Sequence, residues 1–267
     1  MIDIESMVDA TVRDGYNRQN AEAKVCQDIV LKAISEGSLK RNVTIKGGVV
    51  MRSITGDARR ATQDMDLDFI RYSLNEDAIY RFIKELNSLE GVDISIIGDI
   101  EELSQQEYRG KRVFIRIRDQ KNYELNSKID LGVHANHDIE QDNYCFDVCM
   151  DDEGASLLIN SREQIFTEKL RSLMRFGPLS TRYKDIFDMY YLTDTVDTKR
   201  LKTYIRAYIL DEKDMRENEM DDIVSRMERT FRNRTYRSRI QRALKANWID
   251  AQVNQVFDKL LMFIRNI

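Results

Sequence analysis

From residue 5 to residue 37, apolar positions such as Val25, Ile29, Val30 and Ala33 recur at three- and four-residue steps, with no proline between them. That period predicts a helix, which Gly37 would stop. A β-branched run, Val43-Thr44-Ile45, then predicts a short strand leading into Lys46-Gly47-Gly48. Val49 to Ile54 suits a brief helix before a polar turn at Gly56 and Asp57. Next, Met65-Asp66-Leu67-Asp68-Phe69-Ile70 alternates apolar and acidic residues, the period of a strand with one buried face. An amphipathic helix is predicted over 76–88 from Ile79, Phe82, Ile83 and Leu86. Further strands are expected at 93–99, 112–118, 127–133 and near 144–150.

From Ser161 the pattern becomes almost purely helical, over 161–175, 183–194, 198–210, 214–232, 236–247 and 250–265. Pro178, the sole proline, falls beside Gly177 between the first two of these. The expected class is α+β: a mixed sheet with flanking helices over residues 1–155, followed by a helical region over 156–267.

Composition narrows the classes of function. Hydrophobic residues at 42% and charged residues at 33% suit a folded globular protein rather than a disordered one. The formal net charge of -4 gives no overall attraction to nucleic acid, so any such contact must come from a local patch. No apolar run approaches the roughly 20 residues of a membrane span, and the acidic start Ile2-Asp3-Ile4-Glu5 is unlike a signal peptide. Cys26, Cys145 and Cys149 have no metal-ligand spacing and fit idle thiols in a reducing cytoplasm.

The chemistry concentrates in Lys46-Gly47-Gly48 and, after fifteen intervening residues, Asp64-Met65-Asp66-Leu67-Asp68. Two glycines after a strand permit a tight turn and let backbone amides approach an anion. Carboxylates at i and i+2 on a strand project to one face and suit Mg2+, which prefers hard oxygen ligands and substrate phosphates. Either Asp64/Asp66 or Asp66/Asp68 can form that pair. Asp130, within Lys128-Ile129-Asp130-Leu131-Gly132, is an acid between apolar neighbours on an expected strand. Burying it alone costs several kcal/mol, so a partner or a metal is expected there. A glycine-lined cradle beside metal-binding acids is what nucleotidyl transfer requires.

Together these features resemble the DNA polymerase β-like nucleotidyltransferase superfamily. Lys46-Gly47-Gly48 with Arg60-Ala61-Thr62-Gln63-Asp64-Met65-Asp66 is similar to the AbiEii/MenT-type toxin nucleotidyltransferases. So are Arg162-Glu163-Gln164-Ile165-Phe166-Thr167-Glu168-Lys169-Leu170 and Arg182-Tyr183-Lys184-Asp185-Ile186-Phe187-Asp188. The motifs span residues 43–192, and the lead-in Arg60 to Gln63 favours Asp64/Asp66 as the metal pair. The resemblance implies a polymerase β-like fold and transfer of NMP from an NTP, with two Mg2+ ions at Asp64, Asp66 and Asp130. It also implies a triphosphate contact at Lys169, a functional Asp185, a tRNA 3′ end as acceptor and a cognate antitoxin as partner. Lys46, Gly47 and Gly48 would line the nucleotide.

Two features fall outside those motifs. The segment from Arg226 to Lys245 carries Arg229, Arg232, Arg234, Arg237, Arg239 and Arg242, with only Glu228 opposed. It reads either as helices whose arginines bridge Asp221 and Asp222, or as an RNA phosphate surface. His134 and His137 lack further ligands and make a poor zinc site. Two rival functions share the acidic cluster or the basic segment: a metal-dependent nuclease, and a non-catalytic RNA- or partner-binding module.

Overall fold

The computed structural model describes residues 2–103, 110–134 and 139–267, which fall into two compact units, 1–160 and 161–267. The first unit opens with two helices, α1 (Ile4–Arg13) and α2 (Arg18–Glu36), where one continuous helix was expected. The break is local chemistry. Gly15 takes φ +98, and Asn17 caps α2 by accepting a hydrogen bond from the Asn20 amide at 3.0 Å.

Strands β1 (Val43–Lys46), β2 (Met65–Phe69), β3 (Val92–Ile96), β4 (Glu101–Leu103), β5 (Gly110–Asp119), β6 (Glu124–Val133), β7 (Asp142–Val148) and β8 (Asp151–Ile159) form one mixed sheet. Its order is β3-β5-β6-β2-β1-β8-β7, with β4 paired to β5. The central pairs β2–β6 and β1–β8 are parallel, while β1–β2 and β5–β6 are antiparallel. Neither β4 nor β8 was anticipated, and β8 runs past residue 155 to Ile159. Exposed acids and Gly154 at its start obscure the β8 alternation.

The sheet is two-sided because its strands alternate. Met65, Leu67, Ile129, Leu131, Val113 and Ile45 occupy one face and are buried. Their neighbours Asp66, Asp68, Asp130, Arg112 and Lys46 occupy the other. Helix α2 packs on β6, β7 and β8, and is buried around its whole circumference from Val25 to Ile34. Two shorter helices, α3 (Gly47–Thr55) and α4 (Glu76–Glu85), complete the unit.

The second unit contains α5 (Arg162–Phe176), α6 (Tyr183–Leu192), α7 (Thr198–Ile205), α8 (Met220–Arg232), α9 (Arg234–Arg242) and α10 (Val253–Asn266). Ser161 caps α5 by accepting from the Gln164 amide at 3.2 Å, and Gly177-Pro178 ends it. The expected helix at 214–232 begins only at Met220, where Glu219 and Asp222 form a capping box. The 198–210 helix continues after Ile205 as a π turn over Arg206–Leu210. Apolar side chains from α5, α6, α8 and α10 fill this core, with Phe231 stacked on Phe257 at 4.1 Å. No helix among the described residues is long and apolar enough to cross a membrane.

Candidate active site

The site grows from the end of β1. The chain passes from β1 into α3 at Gly47, whose φ of +64 is a conformation other residues adopt at a cost of about 1–2 kcal/mol. A Cβ there would stand 2.6 Å from Asp66 Oδ2, so the start of α3 lies directly against that carboxylate. Lys46, at the N-cap of α3, makes no side-chain cap hydrogen bond. The first amides of any helix lack intrahelical acceptors and carry partial positive charge, which makes this end receptive to an anion. Gly48 also has a packing role. A Cβ at Gly48 would meet Thr62 Oγ1 at 2.6 Å, so this glycine admits the loop before β2.

Strand register brings the acids together. Asp66 pairs with Lys46 on β1 and with Asp130 on β6, and Asp130 pairs with Arg112 on β5. Paired residues share a sheet face, so these four side chains lie together, with Asp68 two residues along. Asp64 precedes β2 rather than lying on it, and is exposed. Three acids have cations: Lys128 holds Asp64 at 2.8 Å, Lys46 holds Asp68 at 2.7 Å, and Arg112 holds both oxygens of Asp130 at 2.7 and 2.8 Å. Gly132 opposes Asp68 across β2–β6, and a Cβ at that position would collide with the Asp68 carboxylate. Lys46 thus pairs with Asp68 on the acid-bearing face of the sheet. Arg112, Lys128 and Gly132 were not singled out beforehand. The two-residue period of Arg112, Arg116 and Arg118 was the available signal for a basic row on this face.

Asp66 is different. It is half-buried and forms no hydrogen bond or ion pair among the described residues. Burial pushes its carboxyl from 3.8 up to about 6, Lys46 opposes that rise, and Asp130, Asp64 and Asp68 add to it. The charged form is under strain that a cation would relieve. No three His, Cys, Asp or Glu side chains among the described residues stand close enough to enclose a metal ion. His134 is buried, its Nε2 3.3 Å from the Ile139 carbonyl, while His137 lies outside the described residues.

Two adjacent residues of α2 hold the rim of this site. Gln27 Nε2 donates to the Thr62 carbonyl at 3.0 Å and approaches the Asp64 carbonyl at 3.5 Å. Asp28, fully buried, accepts from Arg52 of α3 at 3.0 Å and from the Cys149 amide at 3.2 Å, and also pairs with Lys24. One helix turn therefore anchors both α3 and the loop entering β2. Buried polar residues in a helical apolar run were the missed signal.

The profile of a family described as nucleotidyl transferase AbiEii toxin, type IV toxin–antitoxin system, matches residues 29–262. The chain belongs to this family. It is therefore a nucleotidyltransferase. Among solved structures it is similar to an antigenic nucleotidyltransferase-like protein from Paracoccidioides brasiliensis. The identity is 16% over 68% of this chain and 87% of that one, with a TM-score of 0.43. It is also similar to the antibiotic-resistance factor ANT(2'')-Ia in solution, at 14% identity over 69% and 92% of the two chains and a TM-score of 0.41. The same factor in complex with adenylyl-2''-tobramycin gives 16%, 70%, 95% and 0.39. No curated protein matches the chain.

In the second unit of this AbiEii-family chain, Lys169 of α5 is buried rather than solvated. Its Nζ lies 2.6 Å from Asp185 and 2.9 Å from Asp188, both on α6. Asp185 thus pairs with a lysine sixteen residues away and not with its sequence neighbours Arg182 or Lys184. Asp188, not anticipated, is fully buried and also accepts from Trp248 Nε1 at 3.0 Å. Of the arginines considered for RNA, Arg229 and Arg232 lie on α8, and Arg234, Arg237 and Arg239 on α9. Asp222 does not bridge to them. Its carboxylate accepts from the amides of Asn218 and Glu219.

Proposed function

We propose that this AbiEii-family nucleotidyltransferase moves NMP from an NTP to a hydroxyl at the 3′ end of a tRNA, releases pyrophosphate, and is restrained by a cognate antitoxin protein in the cytoplasm. The observation that carries the site assignment is Asp66: a carboxylate half-buried among three others, forming no ion pair among the described residues, against the uncapped start of α3. Asp66 and Asp64 are assigned to hold Mg2+, with Asp130 shared with a second ion and Asp68 kept by Lys46. Held there, Mg2+ would supply charge neutralisation of the triphosphate and Lewis-acid polarisation of the phosphoryl group.

The chain's own groups do the remaining work. Arg112 and Lys128, which hold Asp130 and Asp64, exchange those carboxylates for phosphate oxygens of the NTP. The α3 amides beginning at Gly47-Gly48 offset charge developing on the pyrophosphate. Asp130, released from Arg112, accepts the proton of the acceptor hydroxyl. Lys169 is assigned to the triphosphate by its family motif, with Asp185 and Asp188 orienting its ammonium. The tRNA acceptor and the antitoxin rest on family membership and on the resemblance of the motifs.

The test is to incubate the protein with each α-labelled NTP, Mg2+, and total cellular RNA and protein together, resolved by size. Label should enter tRNA-sized RNA, disappear in Asp66→Asn, and be accompanied by pyrophosphate release. Label in protein alone would overturn the RNA acceptor. Shortened RNA without label would point instead to a nuclease.

A further inference from the structure

The arginine-rich segment separates into two kinds of side chain. Arg226 Nε donates to the Met174 carbonyl at 3.2 Å, and Arg229 Nε to the Ser225 carbonyl at 3.3 Å. Arg232 pairs with Glu228 at 3.0 Å, and Arg265 takes the other oxygen of that glutamate. Arg237 donates to the Phe231 carbonyl at 3.0 Å, bonds Asn254, and lies 5.6 Å above the Phe257 ring. These four arginines of the segment are all partnered: Arg226 and Arg237 reach main-chain carbonyls outside their own helix, whereas Arg229 and Arg232 are exposed and bond within α8.

Arg234, Arg239 and Arg242 on α9, and Lys245 just beyond it, are exposed and form no hydrogen bond or ion pair among the described residues. At 3.6 residues per turn, Arg234, Thr235, Ser238, Arg239 and Arg242 fall on one side of α9. Tyr236 and Ile240, both buried, mark the other. The helix contains no acid. Three guanidinium groups spread along about 12 Å of helix therefore repel one another without an internal counter-charge.

We propose that this face of α9, with Lys245, grips the sugar–phosphate backbone of the RNA acceptor. The proposal rests on the RNA-acceptor reading above. Guanidinium forks match phosphate oxygens bidentately, and the hydroxyls of Thr235 and Ser238 between them suit phosphate and sugar oxygens. An acidic protein segment fits less well. Protein interfaces centre on a desolvated apolar or aromatic anchor, and the residues between these arginines are polar. Leu244, exposed beyond the helix end, is a single apolar residue rather than a patch.

The decisive comparison uses the full chain and its triple variant Arg234→Gln/Arg239→Gln/Arg242→Gln, with labelled total tRNA as the probe over a range of salt concentrations. Loss of three phosphate contacts should weaken binding on the order of 10- to 100-fold near 0.1 M salt and flatten the log–log salt slope by about 2. The KM for RNA in the transfer assay should rise while the KM for NTP and the thermal midpoint stay at wild-type values. If the wild type labels RNA and the triple variant matches it in affinity and slope, the α9 surface is wrong and the acceptor reading survives. If the wild type neither binds nor labels RNA, the acceptor reading fails and takes this proposal with it. Weaker binding of polyglutamate in the triple variant, with tRNA binding unchanged, would reassign the face to an acidic protein.

Discussion

Replacing Asp66 by Asn should make the metal-free protein more stable while abolishing its activity. Burial, opposed by Lys46 and reinforced by Asp130, Asp64 and Asp68, lifts the Asp66 carboxyl from 3.8 to about 6. The native value exceeds the unfolded one, so between about pH 4 and 6 the native state keeps a proton that the unfolded chain has lost. This group's contribution to stability is full below pH 4 and falls away as pH rises through about 6. The displacement from 3.8 to about 6 corresponds to roughly 3 kcal/mol at neutral pH. Partial exposure screens the charge, which reduces the expected gain to about 1–2 kcal/mol. Asn keeps the shape and removes the charge. In EDTA at pH 7.5 its thermal midpoint should rise by roughly 2–6 °C, shrinking towards zero near pH 4.5. Saturating Mg2+ should reverse the ranking. At a hundred times its Kd the ion adds about 2.7 kcal/mol to the wild type and little to the variant. An Asn variant no more stable than wild type in EDTA at pH 7.5, or one stabilised equally by Mg2+, would refute the strained-carboxylate argument.

Further outcomes follow from the same geometry. Gly47→Ala places a Cβ 2.6 Å from Asp66 Oδ2 at a φ of +64, and should cut label incorporation at least tenfold with helical content by circular dichroism preserved. Asp28→Ala strands Arg52 in the core and should cost about 3–5 kcal/mol in urea unfolding. Asp28→Leu/Arg52→Met should recover most of that stability without recovering kcat, because the tether on α3 is gone; recovery of both would assign the pair to folding alone. Lys169→Met leaves Asp185 and Asp188 facing each other, and should destabilise by about 3–5 kcal/mol, with Asp188→Asn restoring part of it. In native protein at pH 8, iodoacetamide should modify exposed Cys145 and spare Cys26 and Cys149, since burial pushes both of those thiols up to about 12; peptide mass spectrometry reads the result.

A β-branched run carried β1, and alternation carried β2, β5 and β6, because a strand with one buried face must alternate, as Met65-Asp66-Leu67-Asp68 does in sequence. The helices of the second unit were legible for the same reason, with ends misplaced where caps such as Asn233 and the Glu219–Asp222 box intervene. Gly47 was legible as a turn because few residues other than glycine take its conformation. What stayed hidden was partnership. Nothing in the order of residues says that Arg112 closes on Asp130, that Lys128 takes Asp64, that Lys169 reaches two aspartates on the next helix, or that Gln27 and Asp28 hold the rim from a helix far upstream. Strand register and helix packing choose those pairs. Electrostatic energy falls off over a few ångströms and takes no account of separation along the chain, so only the folded arrangement could single out Asp66 as the acid of the four that forms no ion pair among the described residues.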